Sequence, residues 1–315
     1  MRFSIAEMTI DELNAAVDSG EIDEIIRVCE ARQCKELSKI ADTITLKPGV
    51  RLVQLAGGSS AGKTTTAKRL CTQLRVNGRV AMHMSTDDYF VGDARNPRDE
   101  NGEFDYETIE CVDMPRLAQD LNALLAGETI RPRRFDFIRH EGYDPDFTVS
   151  LPPGGMIVLE GIHALNPRLT AAVADNCKFR LFIDPVSQPI VFAFTRLSAT
   201  DARLLRRLVR DNQFRKMDPM TTFSMWPKVL AGEEKWIKPF RPLADAEFDS
   251  ALAYEPAVLK PFAQGLLARV RLRGIDDPKV EFLMEFLESV HPTDPTKVPG
   301  DSILRETIGG SQLEY

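Results

Sequence analysis

The chain has 315 residues, of which 43% are hydrophobic and 28% are charged, which suits one large soluble domain or two small ones. No apolar run approaches the roughly 18 residues of a membrane span, and the acidic segment 1–24 lacks the apolar core of a secretion signal. The formal net charge of −7 argues against a surface that coats nucleic acid.

Helical and strand-like segments alternate along most of the chain. Residues 4–42 are predicted to be helical, because apolar residues recur at helical spacing among acids. After the breaker "LKPGV" at 46–50, apolar runs at 51–56, 79–85, 156–161 and 178–184 indicate strands. Helical patterns at 63–77, 113–126 and 202–211 lie between several of these runs. The alternation predicts an α/β fold, with a mostly parallel sheet covered by helices on both faces.

Three stretches lack such patterns. The polar stretch 92–106 and the stretch 136–155, which ends in "PPGG", are predicted to be long connections. The Pro- and Gly-rich stretch 292–315 is expected to wrap over the surface.

A phosphate-loop motif, G-x-x-x-x-G-K-[ST], follows the first predicted strand and opens a predicted helix. In this setting backbone N–H groups converge on phosphate oxygens at the positive end of the helix. Lys63 is expected to be exposed in the empty loop and to reach the β- and γ-phosphates, while Thr64 ligates Mg²⁺. An ordinary glycine-rich turn is the alternative. The predicted ATP-binding residues here are Gly57, Gly58, Ser59, Ser60, Ala61, Gly62, Lys63, Thr64 and Thr65.

Carboxylates follow the next two predicted strands. Asp87 and Asp88 come at the end of the second strand and Glu160 at the end of the third, where a doubly wound sheet places its ligands. A carboxylate there can take a proton from an acceptor hydroxyl, and another can ligate Mg²⁺. The Asp pair could instead form a turn or a helix cap, and Asp184 is a weaker rival ligand. The sequence contains no N-K-x-D motif, which GTPases use to recognise guanine, and this favours a kinase over a GTPase.

Four arginines share one face of the helix predicted at 202–211. Arg203, Arg206, Arg207 and Arg210 fall at i, i+3, i+4 and i+7. A solvated surface face is the alternative interpretation. Since like charges repel unless an anion lies against them, a triphosphate is the candidate partner.

These motifs together resemble the uridine kinase and phosphoribulokinase family of phosphate-loop kinases, most closely a bacterial branch of uridine kinase-like nucleoside kinases. The resemblance runs from about residue 35 to the end of the chain. Members of the branch often carry an N-terminal half similar to part of threonyl-tRNA synthetase, and we expect this protein to lack it. The motifs are "GGSSAGKTT", "STDDYF", "NPRDENGEFDYE", "VLEGIHALNP", "TDARLLRRLVRD", "EEKWIKPF", "ADAEFDSALAYE" and "DSILRETIGGS".

The resemblance implies roles for the acceptor side of the site. Asp87 matches the general base and Glu160 the Mg²⁺-associated carboxylate. Phe104 and Asp105 match a Phe-Asp pair of the family, in which the aspartate carboxylate binds the ribose hydroxyls. Phenylalanines stand at two positions where the family has tyrosine, 90 and 135, which puts the base specificity in question. The predicted substrate-binding residues are Asp88, Phe90, Phe104, Asp105, Phe135, Phe137 and His140.

The resemblance also implies a helical lid at about 201–220 that closes over ATP. Arg203 would bind ATP, and Arg207 and Arg210 would act in catalysis with Lys63. The side chain of Arg206 is expected to turn outward. The predicted domains are an N-terminal helical segment (1–48), a phosphate-loop kinase domain (49–291) and a C-terminal tail (292–315).

The sequence thus predicts an ATP-dependent, Mg²⁺-requiring kinase that phosphorylates the 5′-hydroxyl of uridine or cytidine. Another acceptor, as in phosphoribulokinase or pantothenate kinase, and a nucleotide-dependent regulatory module are the alternatives. The expected partner is a small-molecule nucleoside, with no nucleic acid and no membrane, and homo-oligomer formation is left open. The scattered cysteines predict reduced, mostly buried thiols in a cytoplasmic protein: Cys29, Cys34, Cys71, Cys111 and Cys177.

Overall fold

The computed structural model of the protein describes residues 8–186, 190–191, 195–274 and 277–314. Its helices are α1 (Ile10–Ser19), α2 (Ile22–Leu46), α3 (Lys63–Val76), α4 (Met114–Ala126), α5 (Ala199–Phe214), α6 (Pro219–Trp236), α7 (Glu255–Leu272), α8 (Pro278–Glu288) and α9 (Arg305–Ile308). Its strands are β1 (Leu52–Ala56), β2 (Ala81–Ser85), β3 (Thr129–Ile130), β4 (Arg134–Asp136), β5 (Glu141–Tyr143), β6 (Val149–Ser150), β7 (Met156–Glu160), β8 (Lys178–Asp184), β9 (Ile190–Val191), β10 (Thr195–Arg196) and β11 (Ala246–Asp249).

Five parallel strands form the central sheet, in the order β11-β8-β1-β7-β2. All four apolar runs are strands of this sheet, which confirms the predicted parallel α/β class. Every residue of β1 and β7 is buried, because helices cover both faces of a parallel sheet. Leu55 lies in register with Glu160, and Glu160 with Ser85. This register brings the carboxyl ends of three strands together at one edge of the sheet.

Alternate residues of β1 enter two different cores. Val53 and Leu55 pack with Leu70 and Leu74 of α3, while Leu52 packs with Leu121 of α4 on the opposite face. A third apolar cluster joins α1, α5, α7 and α8 and contains no residue of the central sheet. Helices therefore cover both faces of the sheet, and a helical layer supports α5.

Two of the predicted local structures need correction. The segment 4–42 is not one helix, because Gly20 (φ +79°) ends α1 and α2 then runs on to Leu46; residues 4–7 lie outside the described part of the chain. The connection predicted at 136–155 contains short strands, since β4 pairs with β5 and β3 with β6. These strands have two or three residues, too few to show a periodic pattern.

The C-terminal stretch does not wrap over the surface as expected. Ile303 packs in the core beneath the phosphate loop, and Leu304 and Ile308 enter the helical cluster. As predicted, the cysteines are free thiols and most are buried, with Cys34 exposed. No helix in the described part of the chain is long and apolar enough to cross a membrane.

Candidate active site

The phosphate loop joins β1 to α3 in a conformation that requires glycine at two positions. A Cβ at Gly57 would collide with the carbonyl oxygen of Ile183 on the neighbouring strand. Gly62 has φ +89° and faces the side chain of Ile303, so a Cβ there would meet both backbone strain and a steric clash. The loop is therefore fixed by contacts from the sheet and from the C-terminal segment.

Lys63 is not exposed in the loop, contrary to expectation. Lys63 is buried, with 9% relative exposure, and its Nζ donates a hydrogen bond to the carbonyl oxygen of Gly58 at 3.0 Å. In the folded chain this carbonyl oxygen is therefore the hydrogen-bond partner of the Lys63 ammonium group.

The strand ends bring Thr64, Asp87 and Glu160 to one site. After β2, Asp87 lies in a short 3₁₀ turn in which its backbone N–H donates to the Ser85 hydroxyl at 3.3 Å. The Thr64 hydroxyl donates to Glu160 Oε1 at 3.0 Å, and His83 Nε2 lies 3.6 Å from the same oxygen. The parallel register of β1, β7 and β2 is the cause of this arrangement.

Asp87 and Glu160 have opposite pKa shifts. Burial, reinforced by the negative charge of Glu160, raises the pKa of Asp87 to about 6. Burial also opposes ionisation of Glu160, but His83 and the Lys63 ammonium outweigh it and lower the pKa of Glu160. At neutral pH, therefore, Glu160 is firmly anionic, while Asp87 is a carboxylate that accepts a proton readily.

Thr64 and Glu160 fit a magnesium ion that also binds nucleotide phosphates. Adjacent ligands of an octahedral Mg²⁺ complex are roughly 3 Å apart, and the Thr64 and Glu160 oxygens are separated by 3.0 Å. Within the described residues, no group of three or more His, Cys, Asp or Glu side chains could hold a metal ion. A pair of oxygen donors of this kind suits an ion that takes its remaining ligands from phosphate and water.

A cavity of about 900 Å³ opens beside these residues. Phe135 and Phe137 line one side of it, with ring centroids 5.2 Å apart, and Phe90 packs edge-on against both. Arg215 lies over the Phe137 ring at 4.8 Å, and Asp88 pairs with Arg134 at 2.5 Å. The cavity thus combines an aromatic wall with polar groups close to Asp87.

The charged groups that line this cavity balance one another. Its five acidic residues are Asp87, Asp88, Glu160, Glu306 and Glu314, and its five basic residues are Lys68, Arg134, Arg210, Arg215 and Arg305. Each arginine among them contacts a carboxylate or backbone carbonyl oxygens of the chain.

The arginine face of α5 is largely buried rather than solvated, with only Arg210 half-buried, and carboxylates of the chain supply its counter-charges. Arg203 pairs with Glu233 and lies above Gly58, and Arg207 and Arg210 approach Asp211 at 3.2 and 2.8 Å. Arg207 also donates to the hydroxyl of Ser59 in the phosphate loop at 2.9 Å. The triphosphate is therefore not needed to keep these charges together, and the lid movement stays a prediction.

Arg206 does not face outward, so that expectation is wrong. Its side chain is 1% exposed and forms a bidentate ion pair with Glu255, at 2.5 and 2.6 Å. The hydrogen bond to the carbonyl oxygen of Ser250 adds a third contact, at 3.0 Å. Such a fully paired, buried guanidinium joins α5 to α7 and is not available to a ligand.

Four predicted substrate residues are not among those that line the cavity: Phe90, Phe104, Asp105 and His140. Phe90 packs behind Phe135 and Phe137. Asp105 Oδ1 accepts a hydrogen bond from the Glu107 backbone N–H at 3.0 Å. Phe104 lies under the guanidinium of Arg98, and His140 lies 3.5 Å from Asp93. The roles predicted for these residues therefore stay predictions.

Several lining residues were missed from the sequence. His83 precedes Ser85 by two positions, so strand alternation from the Ser85–Asp87 turn was a usable signal. Lys68 lies one helical turn after Thr64, on the same face of α3. The C-terminal segment appeared only as the motif "DSILRETIGGS" of the family resemblance, which did not indicate its position, because that position depends on a contact across most of the chain.

Comparison with known proteins places this site in a family. Residues 52–253 match the model of the Phosphoribulokinase / Uridine kinase family. A uridine kinase of Deinococcus deserti is 26% identical over 208 residues, which cover 66% of this chain and 91% of that protein. A uridine kinase of Lactobacillus helveticus is 28% identical over 160 residues, covering 51% of this chain and 67% of that protein.

Among solved structures, that of a possible uridine kinase from Bacillus stearothermophilus is 20% identical, with a TM-score of 0.46. The structural match covers 70% of this chain and 100% of the Bacillus stearothermophilus chain. The family match includes the phosphate loop, both strand-end carboxylates and the arginines of α5. Since it spans well over half of the sequence, the protein belongs to the phosphoribulokinase and uridine kinase family and is a phosphotransferase with a hydroxyl acceptor.

Proposed function

We propose that the protein transfers the γ-phosphoryl group of ATP to the 5′-hydroxyl of a pyrimidine ribonucleoside, uridine or cytidine. One observation supports this proposal above the others. The cavity beside the phosphate loop is lined by Asp87, whose pKa is raised to about 6, and by an aromatic wall made of Phe135 and Phe137. A hydroxyl acceptor with a flat, apolar ring would fit such a wall, since aromatic side chains stack on bases.

The charge balance of the cavity favours an uncharged acceptor over a phosphorylated or carboxylated one. Arg134 is already paired with Asp88, and Arg210 and Arg215 face Asp211. An acceptor with its own anionic group would have to displace one of these partners. Arg95 in the 92–106 stretch pairs with Asp113 at 3.0 Å, and it is not a lining residue. A nucleoside therefore fits better than the acceptors of the phosphoribulokinase or pantothenate kinase type.

In the proposed reaction, the acceptor hydroxyl oxygen forms a bond to the γ-phosphorus and its proton passes to Asp87. The bond between the γ-phosphorus and the β,γ-bridging oxygen breaks, and ADP leaves with the electron pair. Lys63 and Arg210 stabilise charge on the transferring group. Thr64 and Glu160 would hold Mg²⁺, which supplies charge neutralisation on the phosphate oxygens when bound.

A screen of acceptors by ADP release tests this proposal. Purified protein with ATP and Mg²⁺ is given uridine, cytidine, purine nucleosides, ribulose 5-phosphate and pantothenate in separate reactions. Turnover that depends on uridine or cytidine supports the nucleoside kinase. Turnover that no acceptor stimulates would instead favour the regulatory module, and turnover with a charged acceptor would contradict the argument from charge balance.

Replacing Asp105 is expected to abolish discrimination between ribose and deoxyribose. If this carboxylate accepts hydrogen bonds from the 2′- and 3′-hydroxyls, a 2′-deoxynucleoside leaves it partly unpaired. We then expect uridine to exceed 2′-deoxyuridine by about 10²-fold in kcat/KM, and Asp105→Ala to remove this preference with most of the activity. The measurement is kcat/KM for both nucleosides in both proteins.

The matched control for this experiment is Glu103→Ala. Glu103 lies in the same stretch with 76% of its side chain exposed, and its replacement should keep the preference for uridine. Equal use of the two nucleosides by the wild-type protein would remove Asp105 from the ribose site.

Arg210→Gln is expected to lower kcat with little change in acceptor KM. Arg210 lines the cavity near Asp87, so its charge would act on the transferring phosphoryl group rather than on the nucleoside. Loss of one such group lowers kcat by about 10²-fold, and we expect the KM for uridine to change by less than about threefold. Arg269→Gln on α7, where the side chain is 49% exposed, is the control and should behave like the wild type. A fully active Arg210→Gln protein would leave this arginine with a structural role only.

A further inference from the structure

The segment 299–314 is anchored in the fold before it reaches the cavity. Ile303 is 1% exposed and packs against Gly62 of the phosphate loop, while Leu304 and Ile308 are buried in the helical cluster. The hydroxyl groups of Ser302 and Tyr254 are 3.3 Å apart, both buried. These contacts fix the position of α9 relative to the phosphate loop and α7.

From α9, the segment contacts the nucleotide-binding helix directly. The Thr65 hydroxyl donates to Glu306 Oε2 at 3.3 Å. Burial lowers the pKa of Lys68 and also opposes the charge of Arg210, and the negative charge of Glu306 acts against burial at both groups. One carboxylate thus faces α3 on one side and the arginine face of α5 on the other.

The segment then turns sharply along the cavity. Gly309 has φ +87° and ψ 178°, and Gly310 has φ +71°, so both residues have backbone angles that favour glycine. The turn is closed by a hydrogen bond from the Gln312 backbone N–H to the carbonyl oxygen of Gly300, at 2.8 Å. The residues that it brings to the cavity include Arg305, Glu306, Gly309, Gly310, Ser311 and Leu313.

We propose that this segment is a wall of the acceptor-binding site, so that it contributes to acceptor affinity and excludes water from the phosphoryl group. The same cavity is bounded by the aromatic side chains of Phe135, Phe137 and Tyr143, and an acceptor between them would contact both sides. The segment lies outside residues 52–253, the part of the chain that carries the family match. The inference rests on the proposed kinase reaction for its acceptor, an uncharged nucleoside.

A wall of this kind has two measurable consequences. Contacts made to the bound acceptor lower its KM, whereas nucleotide affinity depends on the phosphate loop and should change little. A wall on this side of the cavity also limits access of water to the γ-phosphorus, so displacing it should raise ATP hydrolysis in the absence of an acceptor. The second consequence does not depend on which acceptor the enzyme uses.

Gly309→Ala tests the turn. An alanine at this φ and ψ is strongly disfavoured, and its Cβ would lie 3.2 Å from Cζ of Phe214, so residues 310–314 should leave their path. We expect the KM for uridine to rise at least about tenfold, the Kd for ATP to change less than about twofold, and acceptor-free ATP hydrolysis to rise at least about threefold.

Two further variants make the result decisive. Gly20→Ala is the control, because Gly20 also has a positive φ of +79° but lies between α1 and α2 with open space around its Cβ position. It should lower the Tm without changing the uridine KM. Leu313→Ala removes a lining side chain without backbone strain, and should raise the uridine KM at least about threefold.

If Gly309→Ala does not fold, Leu313→Ala decides the question by the same measurements. Wild-type values of uridine KM and of acceptor-free ATP hydrolysis in the folded variants would overturn the proposal. If the wild-type protein does not phosphorylate uridine, the nucleoside proposal fails, and the rate of acceptor-free hydrolysis still decides whether the segment closes the cavity.

Discussion

Lys63→Met is expected to abolish measurable phosphoryl transfer while the protein stays folded. Lys63 supplies the ammonium group of the phosphate loop. Loss of the charge on the transferring phosphoryl group should lower kcat/KM at least about 10³-fold. Methionine keeps the apolar stem, which matters because this side chain lies in a site with 9% relative exposure.

The measurements are ADP release with uridine, Tm and the Kd for ATP. Lys39→Met on the exposed face of α2 removes the same charge outside the site and should leave all three values unchanged. Near-wild-type activity in Lys63→Met would refute the assignment of the phosphate loop and with it the proposed reaction.

Asp87→Asn is expected to lower kcat by about 10²–10⁴-fold, the usual contribution of a positioned general base. The amide keeps the shape of the side chain but cannot take the proton of the acceptor hydroxyl. Since Asp87 is proposed to act on the acceptor rather than on the triphosphate, the Kd for ATP should change little. Asp88→Asn is the matched control, because Asp88 is bound to Arg134 and should serve mainly to hold that arginine. A larger loss of kcat in Asp88→Asn than in Asp87→Asn would assign the general base to Asp88.

The pH profile gives an independent measure of Asp87. Its pKa is raised to about 6, so the carboxyl group becomes protonated as the pH falls through this value. A protonated carboxyl group cannot accept the hydroxyl proton, and kcat/KM for uridine should therefore fall on the acid side of about pH 6. The residual activity of Asp87→Asn should lack this acid limb. An unchanged limb in the variant would assign the titration to another group.

The burial of Lys63 and Arg206 could not be predicted from sequence. Helical spacing places four arginines on one face, but it does not tell what packs against that face. In the fold, Glu233 and Glu255 come from α6 and α7, far along the chain, and supply the counter-charges. Lys63 also has a partner that its motif does not reveal, the carbonyl oxygen of Gly58, to which its Nζ donates a hydrogen bond.

The features that depend on local patterns could be predicted from the sequence. Strand runs followed by glycines, carboxylates and a helix predict the parallel sheet, the phosphate loop and the strand ends where Asp87 and Glu160 meet, because the carboxyl ends of parallel strands share one edge. The residues that enclose that edge depend on long-range contacts in the fold. Ile303 beneath Gly62, Glu306 beside Thr65 and the turn at Gly309 come from a segment more than 200 residues away in the chain. Contacts at such separation depend on how the buried faces of α5, α7 and α9 pack together, and no periodicity within the segment records that packing.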